Sequence, residues 1–366
     1  MTAAIWNSPE RLLALDTAAR SQDLSRVVVT DGAGVRYFTG FTGSSGYLLH
    51  SPAGVPTLIT DFRYEEQAAA EAASGINVHV ANEGWVSGLA DILGAARGER
   101  IGFDPEHLMV SDLERLEERL PDVEFVSVRG LGTRLRARKD DKEIAAIERA
   151  ARIAEAALED VLVSVDWHDG PTELDVAVAL EMALRVAGST GLPFDVIVAS
   201  GERTSRPHAT PSTGRVEAGD LVLLDFGAIA SGYCSDITRT FVVGPPHPWQ
   251  KDIHARVLEA QALAIAAVAP GVRAVDVDAA ARDHFASHDL DQYFGHSTGH
   301  GIGLEVHEGP RVSSRSEDVL EPGNVVTVEP GVYLPGRGGV RIEDDVAVTE
   351  TGSRVLTLAS RELIEL

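Results

Sequence analysis

The chain has almost no cysteine. Cys234 is the single one in 366 residues, so no intramolecular disulfide braces the fold, and this usage fits a reducing cytosol. Long apolar runs are also missing. The longest, ALAIAAVA at 262–269, falls far short of the roughly 20 residues that a membrane span requires. The opening MTAAIWNSPERLLAL lacks a basic segment followed by a long apolar one, so no secretory leader is expected. Basic residues are scarce: 32 Lys and Arg stand against 56 Asp and Glu, a formal charge of −24. Such a surface repels nucleic-acid phosphates and anionic lipid and favours solubility, without selecting a substrate. The expectation is a soluble cytoplasmic protein that binds neither nucleic acid nor membrane.

Hydrophobic residues make up 44% of the chain, which argues against disorder. The length exceeds what a single core usually supports, so two domains are expected. Within residues 1–130, RVVVT (26–30), VRYFTG (35–40), GYLLH (46–50) and PTLIT (56–60) read as strands. Asp61 reads as the cap of a helix FRYEEQAAAEAA. Further strands fall near 76–80, 100–103 and 123–128, with helices near 84–96 and 111–120. This is an α/β domain with a mixed sheet, and its titratable groups form no ligand-like cluster. A basic run from Arg134 to Lys139, read as a solvated linker, leads into an amphipathic helix with Ile144, Ile147, Ala151, Ala154 and Leu158 at helical spacing. The boundary is set near 130–138, giving domains 1–132 and 133–366.

The second domain repeats itself. EAGDLVLLD (217–225) and EPGNVVTVE (321–329) align without gaps, 104 positions apart. Upstream, GPTELDV (170–176) and GVRAVDV (271–277) align 101 positions apart. Each opens a helix, 172–187 and 275–288, and each of those follows another helix, 141–163 and 250–268. Helix, helix, carboxylate hairpin thus occurs twice. The pattern predicts one pseudo-symmetric α+β domain with both hairpins in a single curved antiparallel sheet.

The hairpins gather acids. Folding LVLLDFGA onto YCSDITRTF through IASG sets Asp225 nearly opposite Asp236; folding VVTVEPGVY onto GGVRIEDDV through LPGRG does the same for Glu329 and Glu343. Opposed Cβ atoms lie about 4.5–5.5 Å apart, where like charges destabilise the pair. Two divalent cations about 3.5–4 Å apart, bridged by carboxylates, would neutralise them. His300, within Gly299–Gly303, joins the four acids as a fifth ligand, its small neighbours admitting a close approach. His296 and His307 are not needed for ligation and read as supporting donors or substrate binders. His208, in SRPHATP, lies in a loop before the first hairpin and is a further functional candidate. Arg341 alternates with Glu343 on one strand face and reads as its orienting partner. Tyr333 is either core or a hydrogen-bond donor at the pocket rim. Cys234 reads as a buried, inert thiol.

Six segments carry a family resemblance: RPHA (206–209), LDFGA (224–228), SDITRT (235–240), GHGIGLEVHEGP (299–310), VEPGVY (328–333) and GGVRIEDD (338–345). Together they resemble the pita-bread metallopeptidases, and within them the Xaa-Pro branch of aminopeptidase P and prolidase. Methionine aminopeptidases share that fold but usually follow the final Glu with His-Thr, where this chain has Asp344-Asp345. RYFTGFTGSSGYLL (36–49) and LITDFRYEEQA (58–68) resemble the N-terminal domain of creatinase and aminopeptidase P. That likeness favours an Xaa-Pro aminopeptidase acting on peptides; a prolidase restricted to dipeptides is the alternative, and a catalytically inactive peptide-binding protein on the same fold a more distant one.

The resemblance implies two divalent ions, manganese first, with cobalt or zinc as substitutes. It implies that Asp225 ligates one ion, Asp236 and Glu343 bridge both, and His300 and Glu329 complete the other. Glu329 would carry a proton to the leaving proline nitrogen. His208 or His307 would stabilise the oxyanion, and His208, His296, His307, Tyr333 and Arg341 would support substrate or the ligands. A dipeptidase would also need a positive clamp for the proline carboxylate; Arg36, Arg63 and Arg337 are the candidates. Relatives are commonly dimers or tetramers, so a homo-oligomer is expected. A dimetal phosphoesterase is disfavoured because Arg341 is nearly the only basic group near the acids.

Overall fold

In the computed structural model, residues 9–52, 54–94 and 97–366 are described. The first eight residues of the stretch read for a leader, and the end of the helix expected over 84–96, lie outside the described residues. The chain divides into two units, Met1–Arg136 and Ala137–Leu366.

In the first unit, Asp31 and Gly40 overturn one strand expectation. The Asp31 side chain accepts a hydrogen bond from Gly34 N–H, and Gly40, with φ of 80°, ends the turn in the left-handed region. Bracketed by this cap and stop, Gly32–Thr39 is a helix, although VRYFTG has strand-like composition. Val35, Tyr37 and Phe38 are buried. Their bulk therefore reports burial, not extended backbone. Asp61 caps a short 3-10 turn, Phe62–Tyr64, ahead of the helix Glu65–Glu71. Six strands are β1 (Arg26–Val29), β2 (Gly46–His50), β3 (Thr57–Thr60), β4 (Asn77–Val80), β5 (Arg100–Phe103) and β6 (Glu124–Ser127). They form one sheet in the order β4-β3-β2-β1-β5-β6. The β1–β2 and β2–β3 pairs are antiparallel and the others parallel, so the sheet is mixed. This unit also keeps the short helix Thr133–Arg136, whose buried Arg136 pairs with Asp31 at 2.7 Å.

The second unit runs twice through a pair of helices followed by a set of strands. The first pass has helices α1 (Asp141–Ser164) and α2 (Glu173–Val186) and strands β7 (Ile197–Ser200), β8 (Leu221–Phe226), β9 (Ile229–Ala230), β10 (Tyr233–Cys234) and β11 (Ile237–Val242). Capping boxes start both helices, Asp140 with Glu143 and Thr172 with Asp175. The second pass has α3 (Pro248–Ala267), α4 (Ala274–Ala286), β12 (Gly299–Gly301), β13 (Glu308–Val312), β14 (Val325–Val328), β15 (Gly331–Leu334), β16 (Gly338–Arg341), β17 (Asp344–Val348) and β18 (Ser353–Val355). Each pass has its own apolar core: Leu180, Val198, Leu224 and Phe241 in one, Val257, Phe285, Val328 and Ile342 in the other.

The expected single sheet is divided. Hydrogen bonding yields a three-stranded sheet β11-β8-β7, a five-stranded sheet β13-β12-β14-β17-β18, and two-stranded ribbons β9–β10 and β15–β16. The break in the second hairpin falls at Glu329–Pro330, where proline has no N–H for the ladder. A seam still joins the halves: Glu343 N–H donates to Thr238 O at 3.2 Å. Among the described residues no helix is long and apolar enough to cross a membrane.

Candidate metal centre and cleft

Turn geometry places the acids. Ser231 (φ 53°) and Gly232 (φ 86°) form the two-residue turn whose positive φ values match the twist of paired strands. That turn locks Tyr233 against Ala230 and carries the register on to Ile237 against Phe226 and Thr238 against Asp225. Thr238, not Asp236, therefore faces Asp225. Asp236 lies two residues along on the same face, diagonal to Asp225, which corrects the expected opposition. In the second hairpin Gly331 pairs Arg341 and Val328 pairs Asp344, a register that runs through the gap and puts Glu329 opposite Glu343.

The two hairpins meet at the acids. Thr238 Oγ1 donates to Glu343 Oε2 at 2.6 Å. Donor atoms of Asp236, His300 and Glu343 all lie within 4.8 Å of one another. His300 Nε2 stands 3.6 Å from Glu329 Oε1 and 3.8 Å from Asp236 Oδ2. Its Nδ1 is 3.0 Å from Gly301 O, which fixes the proton on Nδ1 and leaves the Nε2 lone pair facing the acids. The strands carrying these groups approach to backbone contact. A Cβ at Gly227 would sit 1.9 Å from Ser235 O, one at Gly299 1.9 Å from Thr327 O, and one at Gly301 2.1 Å from Gly309 O.

Without cations the cluster resists ionisation. Burial pushes Asp236 and Glu343 well above the usual carboxylate range, reinforced by Glu343 and Asp225 in the first case and by Glu329 and Asp225 in the second. Burial also raises Glu329 to about 8, against the opposing pull of Arg341. Burial lowers His300 to about 4, so its imidazole is neutral and able to ligate. Asp236 Oδ1 is buried and has no hydrogen-bond partner. A buried orphan oxygen, crowded carboxylates and a neutral imidazole are the donor set that divalent cations satisfy. The residues present therefore fit a metal pair.

Arg341 does not orient Glu343. Its guanidinium crosses to Asp225, with which it forms a buried ion pair, and it also donates to Thr238 Oγ1, Pro207 O and Tyr333 OH. Its reach spans the hairpins, which strand alternation alone does not reveal. Tyr333 is buried rather than at the rim. Its hydroxyl lies 2.8 Å from His296 Nε2, and burial holds it at about 12. His296 Nδ1 is 2.8 Å from Ser297 O, so the proton sits on Nδ1 and Nε2 accepts from Tyr333. Burial lowers His296 to about 4. The His307 ring stands edge-on to His300, centroids 4.4 Å apart. His208 and His307 are exposed on the wall of a cavity of about 940 Å³ that also takes in Asp225, Asp236, His296, His300, Glu329, Arg341 and Glu343.

Three residues escaped the sequence reading. Thr238 was detectable, because it follows Asp236 by two and so shares its strand face. Arg311, four residues after His307 in HEGPR, lines the same cavity. Asp345 Oδ2 accepts from Asp236 N–H at 3.1 Å, supporting that acid from behind. Of the proposed clamp residues, Arg337 does not line the cavity and stacks over Trp249 at 4.5 Å. Arg63 is tied to Asp61 at 2.9 Å and, like Arg36, belongs to the first unit. Cys234 is buried.

Comparison with known proteins points the same way as the geometry. Residues 145–350 match the model of metallopeptidase family M24, and residues 11–138 that of the creatinase/prolidase N-terminal domain. An Xaa-Pro dipeptidase of Pyrococcus horikoshii is 38% identical over 93% of this chain and 95% of its own. The solved structure of an Xaa-Pro dipeptidase from Bacillus anthracis superposes with a TM-score of 0.92 at 42% identity, over 98% of this chain and 99% of that one. An X-Pro aminopeptidase from Thermotoga maritima superposes with a TM-score of 0.89 at 35% identity, over 97% and 99%.

Proposed function

We propose that this chain, which belongs to metallopeptidase family M24 in its pita-bread Xaa-Pro branch, is an Xaa-Pro dipeptidase. The N-terminal resemblance alone favoured an aminopeptidase. The named dipeptidases, at 38% and 42% identity against 35% for the aminopeptidase, move the preference to the dipeptide reading. The observation that carries it is Arg311. Its side chain is exposed on the cavity wall and forms no ion pair among the described residues, a rarity in a cleft otherwise dominated by acids. A free guanidinium there suits the carboxylate of a substrate ending at proline; a longer peptide would have to leave past it.

In this reading Asp225, Asp236, His300, Glu329 and Glu343 hold two divalent ions, with manganese preferred on the oxygen-rich donor set. When bound, such ions polarise the scissile carbonyl and lower the pKa of a water to about 7. The chain's own residues do the rest. Glu329 takes the proton of the attacking water and delivers it to the proline nitrogen. His208 and His307 donate to the oxygen that gains charge. The hydrogen-bonded row Arg341, Tyr333 and His296 fixes the Asp225 end, where the substrate's α-amino group binds. An Xaa-Pro bond has no N–H, so the pocket needs no acceptor at that atom.

The test compares kcat/KM for an Xaa-Pro dipeptide with that for the matching Xaa-Pro-Xaa tripeptide, before and after Arg311→Ala. Preference for the dipeptide, lost in the variant mainly through KM, is expected. A tripeptide-to-dipeptide ratio near or above one restores the aminopeptidase reading.

A further inference from the structure

Two buried carboxylates outside the metal cluster do the same job in the two halves. Glu173, the first residue of α2, has no solvent exposure. Its Oε1 accepts from Ser200 N–H at 2.8 Å, and its Oε2 from Ser212 N–H at 2.9 Å and Ser212 Oγ at 2.7 Å. Arg203 Nε donates to both oxygens at 3.0 and 2.9 Å, and the same guanidinium donates to Thr210 O. One side chain thus pins both ends and the middle of the loop 200–212, which carries His208 on the cavity wall.

Asp278, one turn into α4, is equally buried. Its Oδ1 accepts from Thr298 N–H at 3.1 Å and Thr298 Oγ1 at 2.8 Å. Arg282 Nε donates to its Oδ2 at 2.6 Å, while the guanidinium also donates to Phe294 O and His296 O and lies over the Phe294 ring at 4.4 Å. The segment so held, 294–298, carries His296. The design is the same twice: a carboxylate on the second helix, an arginine paired to it whose remaining nitrogens take loop carbonyls, and loop N–H and hydroxyl donors. The positions are not equivalent in the repeat, because the 101-residue alignment sets Glu173 against Ala274, a turn before Asp278. Each carboxylate is buried while its arginine stays partly exposed, and ion pairs contribute little net stability compared with well-packed apolar residues, so stability alone does not explain two such clamps behind two cavity histidines.

We propose that Glu173 and Asp278 are positioning residues, Glu173 setting His208 against the substrate and Asp278 setting His296 against Tyr333 in the row that fixes the Asp225 end. The proposal rests on the peptidase reading for what those histidines touch, but not for the placement itself. Two measurements test it. In metal-free protein, imidazole NMR resonances of His208 move in Glu173→Gln while those of His296 stay, and Asp278→Asn does the reverse. In metal-loaded enzyme each variant loses about 10–100-fold in kcat/KM, the scale of a misplaced group. In double-mutant cycles Glu173→Gln costs little more once His208→Ala is present, whereas Glu173→Gln with His296→Ala is additive. Additive own-loop pairs, or resonances that move together or not at all, overturn the proposal. If Glu173→Gln does not fold, Ser212→Ala removes one donor at that carboxylate and is read in the same way. If the wild type cleaves no Xaa-Pro peptide, the peptidase reading falls while the NMR result still decides this one.

Discussion

The two hairpins of the second unit descend from one pattern yet present their acids differently. In the first, Asp225 faces Thr238 and Asp236 is offset by two residues. In the second, Glu329 and Glu343 face each other across a gap in the ladder. Thr238 occupies in one hairpin the place that Glu343 occupies in the other, and the two side chains touch at 2.6 Å. Had an acid stood at the Thr238 position opposite Asp225, two carboxylates would meet across the seam there. Substituting a hydroxyl for one of them turns a repulsive contact into a hydrogen bond, and the displaced Asp236 comes within reach of His300 instead. A repeat thus builds an asymmetric site by changing register partners while the backbone plan is kept.

The largest effect should come from removing the metals that both hairpins would hold. Chelation is expected to abolish peptidase activity and lower Tm, with manganese restoring both, because cations that bind only the folded state stabilise it. The metal-free protein should also respond to pH in a defined direction. Glu329 has an ordinary value of 4.5 and one of about 8 when folded. The folded state therefore binds the extra proton, and the contribution of Glu329 to stability is greatest below about 4.5 and is lost as pH rises toward about 8. The difference in thermal unfolding between wild type and Glu329→Gln across that range checks the sign; a wild-type advantage that grows with pH contradicts it.

Next in size, Glu329→Gln and Asp225→Asn separate the repeat-equivalent acids. Glu329→Gln should lower kcat by at least about 10²-fold at full metal content, the lower end for general acid–base catalysis. Asp225→Asn should show its defect chiefly as weakened metal binding, read by elemental analysis. Equal behaviour of the two would mean that the hairpins do the same work. The smallest effect belongs to the seam. Thr238→Val removes the hydroxyl bound to Glu343 and should cost about 1–3 kcal/mol in urea unfolding. Thr240→Val, whose hydroxyl donates to the neutral Arg341 O, should cost less. A reversed order would mean that the seam hydrogen bond is incidental.

Much of this was legible in the chain. The repeat was visible because its turn glycines and strand ends keep a fixed spacing, and the acids announced themselves by falling at strand ends. The register of the first hairpin was not legible, because IASG does not say which two residues make the turn; the positive φ of Ser231 and Gly232 decides it. The helix Gly32–Thr39 was hidden by residues chosen for burial. Arg341 was assigned to the wrong acid because a long side chain answers to what lies across the seam. Glu173 and Asp278 read as ordinary acids in the first turns of helices, where such residues are common; only the tertiary fold shows that they point inward.

The close approach at Gly227, Gly299 and Gly301 has a consequence for how such a sequence can drift. None of the three carries any chemistry, yet at each a single methyl group would have to occupy space already filled by a main-chain oxygen. A side chain that binds substrate can be exchanged and leave a folded, altered enzyme behind, open to a new specificity. These glycines admit no such intermediate. At these three positions the constraint is set by the neighbouring main chain, so residues without reactivity tolerate as little change as those that carry it.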